Sequence, residues 1–226
     1  IDGEAANDYS GNSVSLNSDG SIVAIGASNN DGNGNNSGHV RLYENNGGTW
    51  QQIGQDIDGE AAYNRSGNSV SLSSDGSIVA IGAYVANITI VNGNGIQSGH
   101  VRIYENNGGT WQQIGQDIDG EAADDNSGNS VSLSSDGSVV AIGASSNDGN
   151  GFSAGHVRLY KNNGGTWQQI GQDIDGEAAN DFSGISVSLS SDGSVVAIGA
   201  EGNDGTEMDA GHVRVYSSTS SSFHCP

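Results

Sequence analysis

Histidine, arginine and closely spaced carboxylates recur in this sequence at fixed offsets. His39, His100, His156 and His212 each stand in a Gly-His-Val-Arg block, so that Arg41, Arg102, Arg158 and Arg214 follow two residues on. Those arginines are four of only six basic residues. The run Asp56-x-Asp58-Gly-Glu60 returns as Asp117, Asp119, Glu121 and as Asp173, Asp175, Glu177. Closely spaced carboxylates in a loop can hold calcium. Asp58, Glu60, Asp119, Glu121, Asp175 and Glu177 are therefore the candidate metal ligands and calcium the candidate ion, although the run is shorter than a full calcium loop. Each histidine is expected to hydrogen-bond a neighbouring loop, because the four should lie too far apart to share an ion. Each arginine is expected to fork onto a repeated carboxylate and staple strands together, with Asp19, Asp75, Asp136 and Asp192 as its candidate partners.

Catalysis asks for one asymmetric set of nucleophile, base and orienting group. Here almost every polar residue is copied into equivalent places, and Cys225 beside His224 is adjacency in sequence, not a positioned pair. The expectation is a protein that is not an enzyme. Cys225, the one cysteine, is free, paired with another chain, or paired with a segment outside this sequence.

The elements that must position these residues follow from an internal repeat. Ile-Asp-Gly-Glu-Ala-Ala begins at Ile1, Ile57, Ile118 and Ile174, at spacings of 56, 61 and 56 residues. Such a period marks a solenoid, a propeller or an array. Each unit carries four strand signals. In the first, Ser13 to Leu16 alternates and Asn17-Ser18-Asp19-Gly20 turns the chain. Ile22 to Ala27 is nearly all apolar, His39 to Glu44 alternates again, and Thr49 to about Gln55 carries Trp50 and Ile53. Four antiparallel strands per unit, radially repeated, make a β-propeller blade. The fold class is all-β, a propeller of four-stranded antiparallel blades, with one domain and blades at 1–56, 57–117, 118–173 and 174–226. Trp50, Trp111 and Trp167 share one strand position and are expected between blades. A closed ring of four blades is favoured over a partial propeller completed by another copy or a further segment.

The net charge of −21 repels phosphate backbones and anionic membranes, which excludes nucleic acid as a partner. No apolar run reaches the length of a membrane span. Asn35, Asn64 and Asn87 head glycosylation sequons in expected loops.

Ser10-Gly11 through Ser13-Val14, the block Val23-Ala24-Ile25-Gly26-Ala27 and the block Gly38-His39-Val40-Arg41-Leu42-Tyr43 together resemble the FG-GAP repeat, and the match returns in all four units. The resemblance implies the propeller of integrin α-subunits and of large secreted microbial proteins, and so a secreted or cell-surface location. Ser-Gly stands where the family has Phe-Gly, and no Pro follows Gly-Ala. Many members carry a calcium loop of Asp-x-Asp-x-Asp-Gly type between the first two strands. Here that loop is only Asn17-Ser18-Asp19-Gly20, so the family's calcium site does not carry over.

In an antiparallel blade the loops after the second and fourth strands share one face. These loops differ between units, and loops on a scaffold carry binding. The candidate interaction residues are Tyr9, Asn30, Asp31, Arg65, Asn87, Asn126, Asp148, Phe182 and Asp204. The expected function is an extracellular adhesion or recognition module for protein or glycan. The alternative is a structural subunit of a surface filament or sheath, formed by self-association.

Overall fold

The computed structural model describes residues 1–84, 91–92, 95–219 and 222–224. The first blade comprises β1 (Ser10–Leu16), β2 (Ile22–Ala27), β3 (His39–Asn46), β4 (Thr49–Gln52) and β5 (Ile57–Asp58). The second comprises β6 (Ser66–Leu72), β7 (Ile78–Ala83), β10 (His100–Asn106), β11 (Trp111–Gln113) and β12 (Ile118–Asp119), with a small hairpin of β8 (Val91–Asn92) and β9 (Gly95–Ile96) in its insertion. The third comprises β13 (Ser130–Leu133), β14 (Val139–Ala144), β15 (His156–Asn162), β16 (Trp167–Gln169) and β17 (Ile174–Asp175). The fourth comprises β18 (Ser186–Leu189), β19 (Val195–Ala200), β20 (His212–Thr219) and β21 (Ser222–His224). Every pairing within a blade is antiparallel, and the strand order is first, second, third, fourth.

Local chemistry sets these bounds. Gly20, Gly76, Gly137 and Gly193 take φ of 68 to 74°, which closes the turn between the first two strands. The short strand β5 returns to β3, placing Asp58 opposite His39 and Ile57 opposite Val40. The outer edge of each of the first three blades thus includes the first Ile-Asp of the following unit.

The core lies between blades. One apolar cluster joins Ala24, Val40, Leu42 and Ile57 of blade 1 to Val70, Leu72, Ile81 and Trp111 of blade 2. Two further clusters join blades 2 and 3, and blades 3 and 4. Polar ties repeat at the same seams. Ser18 N–H donates to Ser74 O at 2.9 Å, Ser74 to Ser135 at 2.8 Å and Ser135 to Ser191 at 2.8 Å. The hydroxyls of Ser13, Ser69 and Ser130 donate to Gly67 O, Gly128 O and Gly184 O of the next blade.

The favoured closed ring is not what forms. β1 packs on β6, β6 on β13 and β13 on β18, and no like packing joins β18 to β1 among the described residues. Val14 and Leu16 are 64% and 59% exposed, although their counterparts Val70 and Leu72 are buried. At the other end Val213 is 68% exposed while its counterpart Val101 is fully buried. The blades form an open arc whose first and fourth members are uncovered on their outer faces.

Candidate functional site

Two regions gather the chemistry. The first is the outer junction between successive blades. Arg41 Nη2 donates to Asp2 O at 2.9 Å and Arg102 Nη2 to Asp58 O at 3.1 Å. Arg158 and Arg214 repeat this with Asp119 O and Asp175 O at 2.7 and 2.6 Å. Each guanidinium also meets a glutamate, Glu4, Glu60, Glu121 or Glu177, at 3.2 to 3.4 Å. Each lies near the ring of a tyrosine two residues on, 5.7 Å for Arg102 and Tyr104. The arginine partners are therefore these glutamates, not Asp19, Asp75, Asp136 and Asp192. Those aspartates are occupied inside their own turns. Asp75 Oδ1 accepts from Ser73 Oγ, Ser77 N and Ser77 Oγ at 2.8 to 2.9 Å. A carboxylate so committed, alone in its loop, does not fit a calcium shell of six to eight oxygens.

The histidines lie under the same junction. Nε2 of His100 and of His156 is buried without a hydrogen-bond partner, contrary to the expected bond to a loop. Instead Glu4, His39 and Asp56 converge, as do Glu60, His100 and Asp117, and Glu121, His156 and Asp173. Burial, followed by the nearby Arg102 and Arg158, brings His100 and His156 down to about 4. Of the expected metal ligands, Glu60 and Glu121 belong to these groups. Asp58 and Asp119 do not: their place is taken by Asp117 and by Asp56 or Asp173, two residues before the Asp-Gly-Glu run. Glu177 meets His212 at 3.6 Å besides Arg214, and neither it nor Asp175 joins a group of three such side chains among the described residues. The repeated Asp-x-Asp spacing was the available signal, and strand pairing decides which carboxylate turns inward.

The second region is the face built by the loops after the second and fourth strands. Tyr9, Arg65, Asn126 and Phe182 occupy one equivalent position, with φ of 55, 52, 55 and 53°. Tyr9 is exposed; Arg65 donates to Tyr84 OH at 2.8 Å, and Asn126 Nδ2 to Ser146 Oγ at 3.0 Å. Asp31, Asp148 and Asp204 are exposed, each accepting one backbone N–H of its own loop. Asn30 corrects the expectation. It is buried, its amide donates to Asp8 Oδ2 at 3.0 Å and its carbonyl oxygen accepts Gly32 N–H, so it supports the loop and offers a ligand nothing. Asn147 and Asn203 do the same with Asp125 and Asp181. Asn87 and Cys225 lie outside the described residues. Of the sequons within them, Asn35 is exposed and Asn64 buried. Trp111 and Trp167 are buried between blades, donating to Ile53 O and Ile114 O at 2.9 Å, while Trp50 lies half-buried on the uncovered first blade.

Residues 2–43 match the FG-GAP repeat family, and the three later units reproduce the same strands, pairings and blocks. The first unit is an FG-GAP repeat. No curated protein sequence matches it. Among solved structures, this chain is similar to the periplasmic gluconolactonase PpgL of Pseudomonas aeruginosa, at 16% identity and a TM-score of 0.63, over 95% of this chain and 55% of that one. It is also similar to Kuenenia stuttgartiensis hydrazine synthase, at 13% identity and a TM-score of 0.57, over 90% and 51%. TolB from Acinetobacter baumannii follows, at 14% identity and a TM-score of 0.52, over 95% and 43%. The chain thus spans about half the length of these proteins. At such identities the likeness is one of fold.

Proposed function

We propose that this chain is a non-enzymatic recognition module that binds an extracellular protein or glycan through the face carrying Tyr9, Arg65, Asn126 and Phe182. The observation that carries the reading is the backbone at these four positions. A left-handed φ costs a non-glycine residue on the order of 1 kcal/mol, and glycine would relieve it. Four different side chains are nevertheless held there, three of them, Tyr9, Asn126 and Phe182, in loops framed by the matching buried pairs Asp8–Asn30, Asp125–Asn147 and Asp181–Asn203. A fixed frame presenting varied groups is the arrangement of a recognition surface. The proteins of similar fold include a lactonase and a hydrazine synthase, so the fold by itself favours no function. A secreted or cell-surface location accompanies the proposal, in keeping with the acidic surface and the FG-GAP resemblance.

Glycine substitution tests this without harming the fold. The triple variant Tyr9→Gly, Arg65→Gly, Phe182→Gly is compared with Asn107→Ser, in a turn on the opposite face, on an array of glycans and extracellular-matrix proteins. The triple variant should lose at least tenfold in affinity while Asn107→Ser loses none. Equal binding by both would remove this face as the site. A parent chain that binds nothing on the array would favour the second reading, a structural subunit of a filament or sheath. That reading is supported by the two uncovered end faces, and negative-stain microscopy of the purified chain tests it.

A further inference from the structure

The three Glu–His–Asp groups at the blade junctions have a geometry that goes beyond a recognition face. In each, the two carboxylates are clamped through one oxygen and turn the other into the group, and in the third Glu121 and Asp173 also lie within hydrogen-bonding reach of each other. Glu4 Oε1 faces Arg41 and Glu121 Oε1 faces Arg158, both at 3.4 Å. Asp56 Oδ1 accepts from Gln52 Nε2 at 2.5 Å, and Asp117 Oδ1 and Asp173 Oδ1 accept from Gln113 and Gln169 at 2.6 Å. The other oxygens turn toward the imidazole. His39 Nδ1 stands 3.9 Å from Glu4 Oε2 and 3.7 Å from Asp56 Oδ2. His156 Nδ1 stands 4.0 Å from Glu121 Oε2 and 3.8 Å from Asp173 Oδ2.

These separations are too long for hydrogen bonds. They come within about half an ångström of the donor–donor spacing around a tetrahedral ion with bonds of roughly 2.0 to 2.1 Å. The histidine is the second observation. The side chain of His156 is 1% exposed, and its Nε2, like that of His100, is buried without a hydrogen-bond partner. A buried polar ring normally finds a partner. Here its Nδ1 is aimed at two oriented carboxylate oxygens.

We propose that each of the three groups, Glu4–His39–Asp56, Glu60–His100–Asp117 and Glu121–His156–Asp173, binds one divalent transition-metal ion of the zinc class. One imidazole nitrogen and two carboxylates suit zinc, whereas calcium asks for six to eight oxygens and no imidazole. Solvent would fill the fourth position: beside the third group an open hollow is lined by Glu121, Gln169, Gly171, Gln172, Asp173 and Asp175. Arg158 and Gln169 hold the ligand carboxylates from behind, as outer partners do in metal sites. The glutamate belongs to the segment entering a blade, the histidine to that blade's third strand, and the aspartate to its outer edge. Glu60 and Glu121 also follow the edge strand of the preceding blade, so an ion there ties one blade to the next. In the fourth unit His212 and Glu177 lack an aspartate among the described residues, and no ion is expected there.

The test is native mass spectrometry of the chain after EDTA treatment and titration with zinc chloride. The parent should take up three zinc ions per chain, with equimolar calcium failing to displace them. Asp173→Asn, a substitution at a partly exposed residue, should reduce the count to two. The triple variant Asp56→Asn, Asp117→Asn, Asp173→Asn should lose all three, as should His39→Gln, His100→Gln, His156→Gln, with folding of both followed by circular dichroism. A parent that binds less than one ion overturns the proposal. So does an unchanged count in the triple aspartate variant, which would place the metal elsewhere, such as at His224 and Cys225.

Discussion

The repeated arginine does its stabilising through the backbone more than through charge. Arg102 is buried along its stem, donates to Asp58 O and lies near the Tyr104 ring, while its ion-pair partner Glu60 is exposed. An ion pair with an exposed partner is worth little. The carbonyl bond and the packed stem remain, so Arg102→Ala should cost about 2 kcal/mol in urea unfolding. Arg65 also has partners, Tyr84 OH and its ring, but only half-buried ones. Arg65→Ala should cost about 0.5 to 1 kcal/mol, and equal losses for the two would refute the distinction. The sequence made the arginine legible as a structural residue, because it recurs in an otherwise acidic chain. It did not reveal the partner. Asp19 and Glu4 are both repeated carboxylates, and only the path of the segment that enters each blade brings the second within reach of the arginine.

Strands and turns were legible from alternation and from Ser-Asp-Gly signals, and the turns carry the clearest pH dependence. The backbone N–H of Ser138, then the hydroxyls of Ser134 and Ser138, hold Asp136 below its ordinary 3.8, and the hydroxyl of Ser190, then the backbone N–H and hydroxyl of Ser194, hold Asp192 down to about 2. A carboxyl whose folded pKa lies below its unfolded value stabilises above the unfolded value, and that stability is lost as pH falls through the folded one. Thermal melting should therefore show an acid limb opening below 3.8, and Asp136→Asn should flatten it. Asp125, raised by burial, acts with the opposite sign, its contribution present at low pH and lost as pH rises, so each variant is compared with its own parent. The Gly-Ala pair at the end of the second strand marks where blades touch. A Cβ on Gly143 would lie 2.0 Å from Gly184 O of the next blade, whereas on Gly199 its closest neighbour is the rotatable hydroxyl of Ser186. Gly143→Ala should cost about 1 to 3 kcal/mol and Gly199→Ala less than about 1, measured by chemical denaturation.

At the scale of the whole molecule, a repeat conceals its own ends. Leu16 and Leu72 sit in the same Ser-Val-Ser-Leu sequence, and Val213 stands in the same block as Val101, so no local pattern distinguishes a covered face from an open one. That is why four blades could be counted in the sequence while the closed ring was wrongly favoured: closure depends on the angle accumulated over three seams, which no single residue encodes. Asn30 escaped for a related reason, since burial of a loop amide depends on the loop that folds over it. The openness has a direct consequence. Val14 and Leu16 at one end, and Val213 and Val215 at the other, are exposed versions of the two halves that meet at every internal seam. Apolar surfaces of that kind drive association. In sedimentation velocity the isolated chain should associate increasingly with concentration. Leu16→Asp should suppress this and leave stability within about 0.5 kcal/mol, because the side chain already faces water. Leu72→Asp, identical in chemistry and sequence context, should cost at least about 3 kcal/mol by burying a carboxylate in the seam between blades 1 and 2. If both substitutions destabilised the chain equally, the first blade would have to be covered in solution by the fourth, and the open arc would be wrong.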